Sequence, residues 1–335
     1  MSTSEHPFAH YVRILGKGPN LSRSLTLDET RTAVGMILRG EVEPEQLGAF
    51  LCLMRVKTET PEEVAGFALA IRDSLSLPAN MPPVDLDWPS YAGKSRQLPL
   101  FLLAALLLAD NGLTVAMHGA GGHTAGRLYS QEALATLGIT AATSLEEAAH
   151  QLTARHFAFV PMAVLHPRLP AILALKQLLG LRSPLHTVAR NMNPFDAKAS
   201  LMSVFHPNYR PVHRDAAKLM GMTELACFKG EGGEVERRPE KPCLVQGLRR
   251  GEAFEEEWLP TQPAGPGHDL VMDASRLQGL WRGDAVDPYA EATIVATAAV
   301  ALRQVERAGS MSDAQSLAGQ LWANRRRHAF PPNET

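Results

Sequence analysis

His118-Gly119 sits inside the run Met117-His118-Gly119-Ala120-Gly121-Gly122-His123-Thr124-Ala125-Gly126-Arg127, directly after the apolar stretch Leu113-Thr114-Val115-Ala116. A strand emptying into a glycine-rich turn is a common phosphate holder. Glycines let successive backbone N–H groups face one anion, and a following helix N-terminus adds partial positive charge. His118 and Gly119 are phosphate-contact candidates on this ground, with Arg127 as the nearby cation. A phosphate site gains from a cation and a hydrogen-bonding side chain in such a loop, and Met117 and Ala120 stand here instead. His118 and His123 frame the turn and titrate near neutrality, so they suit a general base and a phosphate donor. They equally suit structural hydrogen bonding, which the lack of a nearby carboxylate in the sequence favours.

A second candidate is Trp88-Pro89-Ser90-Tyr91-Ala92-Gly93-Lys94-Ser95, which ends in Gly-Lys-Ser. A P-loop needs a glycine five positions before Gly93, and Trp88 occupies that place, which argues against a nucleoside triphosphate site. Lys94, Ser95 and Arg96 still precede an apolar helical run over 98–109, so a cation and a helix dipole can share a phosphate there. The alternative is a solvated loop with two surface charges. Glu231-Gly232-Gly233-Glu234-Val235-Glu236 has the oxygen ligands magnesium prefers, but Arg237-Arg238 follows at once and competes for them, so a solvated turn is expected. The histidines show no i, i+4 pair with an accompanying acid, which argues against zinc, and no resident metal or cofactor is expected.

The chain has a formal net charge of −2, yet residues 182–250 hold 12 Lys and Arg against 7 Asp and Glu, leaving −7 elsewhere. Such a segment makes a locally positive surface, although chance clustering of solvated side chains gives the same count. Its cations include Arg182, Arg190, Lys198, Arg210, Arg214 and Lys218, with Arg237 and Arg238 further on. Arg210, Arg214 and Lys218 fall at i, i+4, i+8 and share one face if that segment is helical, a stripe suited to a phosphate backbone. Arg325-Arg326-Arg327 reads as a solvated tail.

The elements that position these groups follow from periodicity and punctuation. Thr26 or Asp28 caps a helix ending near Gly40, a second follows Pro44, and Thr60-Pro61-Glu62-Glu63 starts a third. A proline-bearing linker over 77–83 separates this helical domain, residues 1–78, from an α/β domain, residues 79–335. In the second, helices over 98–109, 130–137 and 169–179 alternate with strands over 113–116, 156–160 and 225–228, which predicts a mostly parallel sheet. Residues 230–266 read as loops and an excursion at the sheet edge, and helices follow over 290–305 and 312–322. Three widely spaced cysteines, a polar start and no apolar run long enough to cross a bilayer suggest a reduced, cytoplasmic protein.

Several stretches together resemble the anthranilate phosphoribosyltransferase family, glycosyltransferase family 3. They are Leu38-Arg39-Gly40-Glu41-Val42, Phe50 to Lys57, Glu59 to Phe67, His118-Gly119, Gly180-Leu181-Arg182-Ser183, Asn193-Pro194 and Phe205-His206-Pro207. The resemblance implies a small N-terminal helical domain, joined by helices from about 167–190, and a large α/β domain of the nucleoside phosphorylase/phosphoribosyltransferase type. It further implies a homodimer formed through the helical domain, and an acceptor-site role for Arg182.

The family's functional motifs are altered. Ser90-Tyr91-Ala92-Gly93-Lys94 replaces a Gly-Thr-Gly-Gly-Asp diphosphate loop, and Pro99-Leu100-Phe101 replaces an Asn-x-Ser-Thr helix start. The lysine and asparagine of the phosphate loop are Met117 and Ala120, and the adjacent Asp-Glu pair that holds magnesium has no adjacent counterpart in 231–236. Charge-assisted contacts contribute roughly 1.5–3 kcal/mol apiece, so losing several argues against ordinary anthranilate transfer.

These departures look like the YbiB-like branch, which the resemblance implies binds nucleic acid through basic grooves. The expectation is therefore a nucleic-acid-binding protein for single-stranded DNA or RNA with little sequence preference. Phosphate contacts would come from Arg190, Lys198, Arg210, Arg214, Lys218, Arg237 and Arg238, and Trp88, Tyr91 and Tyr209 read equally as base-stacking rings or as packing aromatics. The alternative is a glycosyl or phosphoribosyl transferase, or a phosphorylase, for an unidentified substrate, with Mg2+ only in that case. Binding of a small phosphorylated metabolite without turnover is a third reading.

Overall fold

The computed structural model describes residues 5–122, 124–263 and 271–328. The chain opens with four helices, α1 (Ala9–Gly16), α2 (Leu27–Arg39), α3 (Pro44–Lys57) and α4 (Pro61–Asp73). Reciprocal capping boxes start α2 (Thr26 with Glu29) and α4 (Thr60 with Glu63), and Gly40 ends α2 in the left-handed conformation at φ 77°. Glu63 also accepts from the Leu25 amide at 2.9 Å, tying the start of α4 to the approach to α2. The two helices cross closely at Gly66, where a Cβ would meet the Leu27 carbonyl oxygen at 2.3 Å.

After these come β1 (Leu86–Ser90), α5 (Phe101–Asp110), β2 (Val115–Gly119), α6 (Ser130–Thr136), α7 (Leu145–Arg155), β3 (Phe157–Pro161), α8 (Met162–Leu165), α9 (Arg168–Leu179) and α10 (Leu185–Val188). The chain continues through β4 (Ala199–Val204), α11 (Arg210–Leu219), β5 (Leu225–Lys229), β6 (Cys243–Arg249), β7 (Glu252–Trp258), α12 (Ser275–Arg282), α13 (Pro288–Gln304) and α14 (Met311–Ala323). The seven strands form one sheet in the order β3-β2-β1-β4-β5-β6-β7. The first five of that order run parallel, and β6 and β7 add an antiparallel hairpin at the edge. That hairpin is the excursion expected at the sheet edge over 230–266, built from two paired strands where loops were also expected; 264–266 lie outside the described residues.

One face of the sheet is covered by α5 and the C-terminal helices, with Leu102, Phe159, Phe228, Trp281 and Ile294 in a shared core. The other face packs Ala116, Ala158 and Val160 against a core that runs on through Leu169, Leu173 and Leu185 into Phe50, Phe67 and Ile71 of the opening helices. Arg325 is pinned by the Leu280, Trp281 and Trp322 carbonyls and stacks on Trp322 at 3.7 Å, while Arg326 pairs with Asp110. The C-terminal arginines therefore staple α5, α12 and α14 together, where the sequence suggested a solvated tail. Among the described residues no helix is long and apolar enough to cross a membrane.

Strand order reverses at β1, which has β2 on one side and β4 on the other. β1 pairs with β4 only at Leu86 and Asp87, so the two strands part beyond that point. A crevice outside the carboxyl ends of parallel strands, at such a switch point, is where α/β sheets take ligands.

Candidate functional site

Four loops close over the switch point, following β1, β2, β4 and β5. The first turns at Gly93, φ 66°, and aims the Ala92 and Gly93 amides at a single atom. That atom is Glu234 Oε1, which accepts from them at 2.7 and 2.6 Å. Glu234 arrives by way of a tight turn after β5. At Gly230 a Cβ would meet the Glu234 carbonyl oxygen at 1.8 Å, so only glycine fits. Burial pushes the Glu234 carboxyl above its ordinary range, against the pull of the Gly93 amide, Ser90 and Arg190.

Two residues on, Glu236 repeats the arrangement. Its Oε1 takes Lys94 Nζ at 2.5 Å and its Oε2 takes the Phe101 amide, at the start of α5, at 2.9 Å. Lys94 and Glu236 are 2% and 1% exposed, an ion pair sealed inside the protein. Arg127 completes the closure by donating to the Ala92 and Gly93 carbonyls at 2.8 and 3.1 Å. Both anion positions of this region, the glycine turn and the helix N-terminus, are thus filled by the protein's own carboxylates. This corrects two expectations: Lys94 is not available to a ligand phosphate, and residues 231–236 are not a solvated turn.

His118 is fully buried, with Tyr91 Oη 2.7 Å from Nδ1 and Asp87 Oδ1 3.0 Å from Nε2. Asp87 in turn accepts from Ser200 Oγ at 2.7 Å. The carboxylate partner that the sequence did not reveal comes from β1, one strand over. His118 therefore braces β1, β2 and β4 and touches no open space, which removes it as a phosphate contact. Burial raises the Tyr91 phenol well above its usual range, and Asp87 adds to that. Gly119 lines an apolar cavity of about 440 Å³, with Met162, Leu173 and His186 among its neighbours. His123 lies outside the described residues.

The open chemistry lies beside this locked network. A cleft of about 570 Å³ is lined by Ser95, Arg96, Arg127, Phe205, Arg210, Lys229, Arg238 and Lys241, with Glu231 as its one acidic side chain and the paired Lys94 behind its wall. Two further cavities, of about 240 and 90 Å³, share Phe205 with it and contain Arg182 and Arg190. Arg55 and Tyr209 line the smaller one. Arg210 donates to the Pro207 and Leu244 carbonyls, neutral acceptors that leave its charge facing the cleft. Arg190 donates to the His186 carbonyl at 2.6 Å, and burial lowers its pKa. Arg238 is held by Glu240 and Glu231.

Other candidates fall elsewhere. Lys198 is 70% exposed and paired with Asp85, at the opposite end of β4 from the cleft. The segment 210–219 is helical, so Arg210, Arg214 and Lys218 do share a face. Arg214 pairs with Asp215, however, and only Arg210 lines the cleft. Arg237 is 1% exposed, faces Trp258 and bonds the Leu259 carbonyl, so it is withdrawn from any ligand surface. Of the proposed stacking rings, Trp88 and Tyr91 are 0% and 6% exposed and belong to the core. Tyr209 is half-buried and accepts from Arg55 at 3.2 Å. Sequence reasoning did not single out Phe205, Lys229 or Lys241 for the cleft. Only the positive balance of 182–250 pointed toward the two lysines.

The glycosyl transferase family helical bundle domain matches residues 9–75, and the glycosyl transferase family a/b domain matches residues 96–324. The chain belongs to glycosyl transferase family 3. It is 32% identical to the anthranilate phosphoribosyltransferase of Desulfitobacterium hafniense (strain Y51), with 75% of this chain and 84% of that one covered. It is equally 32% identical to the uncharacterized protein YbiB of Escherichia coli (strain K12), covering 69% and 72% of the two chains. Its fold matches the anthranilate phosphoribosyltransferase of Thermus thermophilus with a TM-score of 0.77 at 20% identity, over 95% of both chains.

A phosphoribosyltransferase scaffold brings phosphoribosyl diphosphate and magnesium into question, and the yeast homologue of the same fold has been solved with both. The residues here do not fit that pair. Glu234 Oε1 and both Glu236 oxygens are spent on amides and on Lys94, and Glu234 Oε2 is buried without a hydrogen-bond partner among the described residues, so no open carboxylate pair faces a metal and no free amide cradle faces a diphosphate.

Proposed function

We propose that this protein binds single-stranded nucleic acid through its backbone phosphates, with little sequence preference, on a glycosyl transferase family 3 scaffold. One observation carries the reading: a continuous cationic cleft adjoins a diphosphate position that the chain fills with its own carboxylates. Arg96, Arg127, Arg210, Lys229 and Lys241 line a groove with a single acid in it, which suits a polyanion better than one phosphate. A homodimer through the helical unit belongs to the proposal. Val56 of α3 and Leu178 of α9 are 78% and 81% exposed there, and two clefts on one particle raise avidity.

A second reading, transfer of a glycosyl or phosphoribosyl group or phosphorolysis of an unidentified substrate, draws support from the relatives' names and from the apolar cavity beside Gly119. Affinity for a labelled 20-nucleotide strand across a salt series, beside calorimetry with phosphoribosyl diphosphate and magnesium, separates the two. About five phosphate contacts predict a log–log salt slope near −3.5, with no diphosphate heat. Diphosphate binding with negligible strand affinity would overturn the first reading.

A further inference from the structure

We infer that Phe205 is a stacking platform for an unpaired base and that it gives the cleft its preference for single-stranded segments over duplex. The inference rests on the nucleic-acid reading and adds to it the residue that would tell strand from duplex. Phe205 follows β4 directly and is 57% exposed, the one aromatic ring among the large exposed hydrophobic side chains of the described residues. It joins none of the three buried cores. An exposed phenyl ring forgoes the roughly 25 cal/mol per Å² that burial supplies, so fold stability does not account for its position.

Its surroundings do. Phe205 is the one residue common to the three cationic cavities, standing between Arg96 and Lys241 on one side and Arg182 and Arg190 on the other. Its backbone is firmly set, with Val204 buried in β4 before it and Pro207 opening a helical turn two residues later. The exposed His206 ring meets it edge-on at 5.0 Å and 77°. A π-face flanked by cations accepts any base while the flanking charges take the neighbouring phosphates. In a duplex each base face is already covered by its neighbours, so only an unpaired base can lie on this ring.

The test uses the full chain with a labelled 20-nucleotide strand, the matching duplex and a strand carrying 2-aminopurine. Phe205→Ala should weaken strand binding by about tenfold or more, leaving duplex binding and the salt slope as they were. Phe205→Trp should restore the strand affinity, and 2-aminopurine fluorescence should be quenched by wild type and Phe205→Trp but not by Phe205→Ala. An unchanged unfolding midpoint for Phe205→Ala shows that the fold is intact. If the wild type binds the strand and Phe205→Ala binds it equally, stacking is wrong and the phosphate reading stands. Equal losses on strand and duplex would make the ring a shaper of the cleft, which also overturns the inference. If the wild type binds neither nucleic acid at low salt, the nucleic-acid reading itself falls and takes this inference with it.

Discussion

Glu234 Oε1 lies 2.6 Å from the Gly93 amide, so the anion position of the glycine turn after β1 is filled from within the chain. The same turn would otherwise offer two convergent N–H groups to a phosphate. The altered loops are thus more than a list of missing contacts. The acidic segment after β5 supplies the anion for this turn itself, and it holds the β1 and β5 loops together.

Emptying that place should reopen it. Glu234→Ala is expected to gain a saturable calorimetric signal with inorganic pyrophosphate, of about 1 mM affinity, that the wild type lacks. Two charge-assisted bonds at roughly 1.5–3 kcal/mol each are enough for that. Glu234→Gln keeps an acceptor on the amides and should stay silent. A wild type that binds pyrophosphate as well as Glu234→Ala does would show that the carboxylate is not in the way.

Lys94 and Glu236 form a pair whose side chains are 2% and 1% exposed. Removing one partner strands the other charge, which typically costs about 3–5 kcal/mol. Lys94→Met should therefore lower unfolding free energy by about that much in urea titrations. Lys94→Met combined with Glu236→Gln should recover about half, because glutamine still accepts from the Phe101 amide at the head of α5. If the double variant is no more stable than the single one, the cost of Lys94→Met is packing and not a stranded carboxylate.

Local signals made much of the fold readable. Thr26 with Glu29, Thr60 with Glu63, and Gly40 mark helix ends through contacts within four residues, so sequence alone reveals them. β1 escaped because Asp87 and Pro89 break the pattern of a strand. Asp87 is tolerated because Ser200 Oγ donates to its Oδ2 and His118 lies 3.0 Å from its Oδ1, and Pro89 because β1 has parted from β4 by that position. The site was less legible for the same reason at longer range. Glu234 meets Gly93 across 141 residues and Glu236 meets Lys94 across 142, and nothing near either end announces the partner. Burial likewise separated Trp88 and Tyr91, which are core, from Phe205, which is not, although the three are equally aromatic in the sequence.

The cleft cations divide into those facing the groove and those paired elsewhere. Arg96→Glu with Lys241→Glu should weaken strand binding and flatten the log–log salt slope by about 1.4, since each lost contact on a single strand is worth about 0.7. Lys198→Glu, on the far end of β4 beside Asp85, should leave slope and affinity unchanged. Fluorescence anisotropy from low to moderate salt reads both. Equal effects from the two variants would mean that diffuse charge, and not this groove, attracts the strand.

His213 makes the fold acid-sensitive in a predictable direction. It lies buried on α11, bonded through Nδ1 to Asn191 Oδ1, and burial with the nearby Arg190 lowers its pKa from 6.5 to about 3. Between those values the unfolded chain takes up a proton that the folded chain refuses, so stability falls as pH drops below about 6.5. At pH 5 the loss attributable to this one group is about 2 kcal/mol. The raised carboxyls of Glu234 and Glu236 act the opposite way, gaining a proton in the folded chain first, but they remain in any His213 variant and cancel in the comparison. His213→Gln should therefore lose about 2 kcal/mol less than wild type between pH 7.5 and pH 5 in urea unfolding. If the two proteins lose stability in parallel, a different group governs the acid limb.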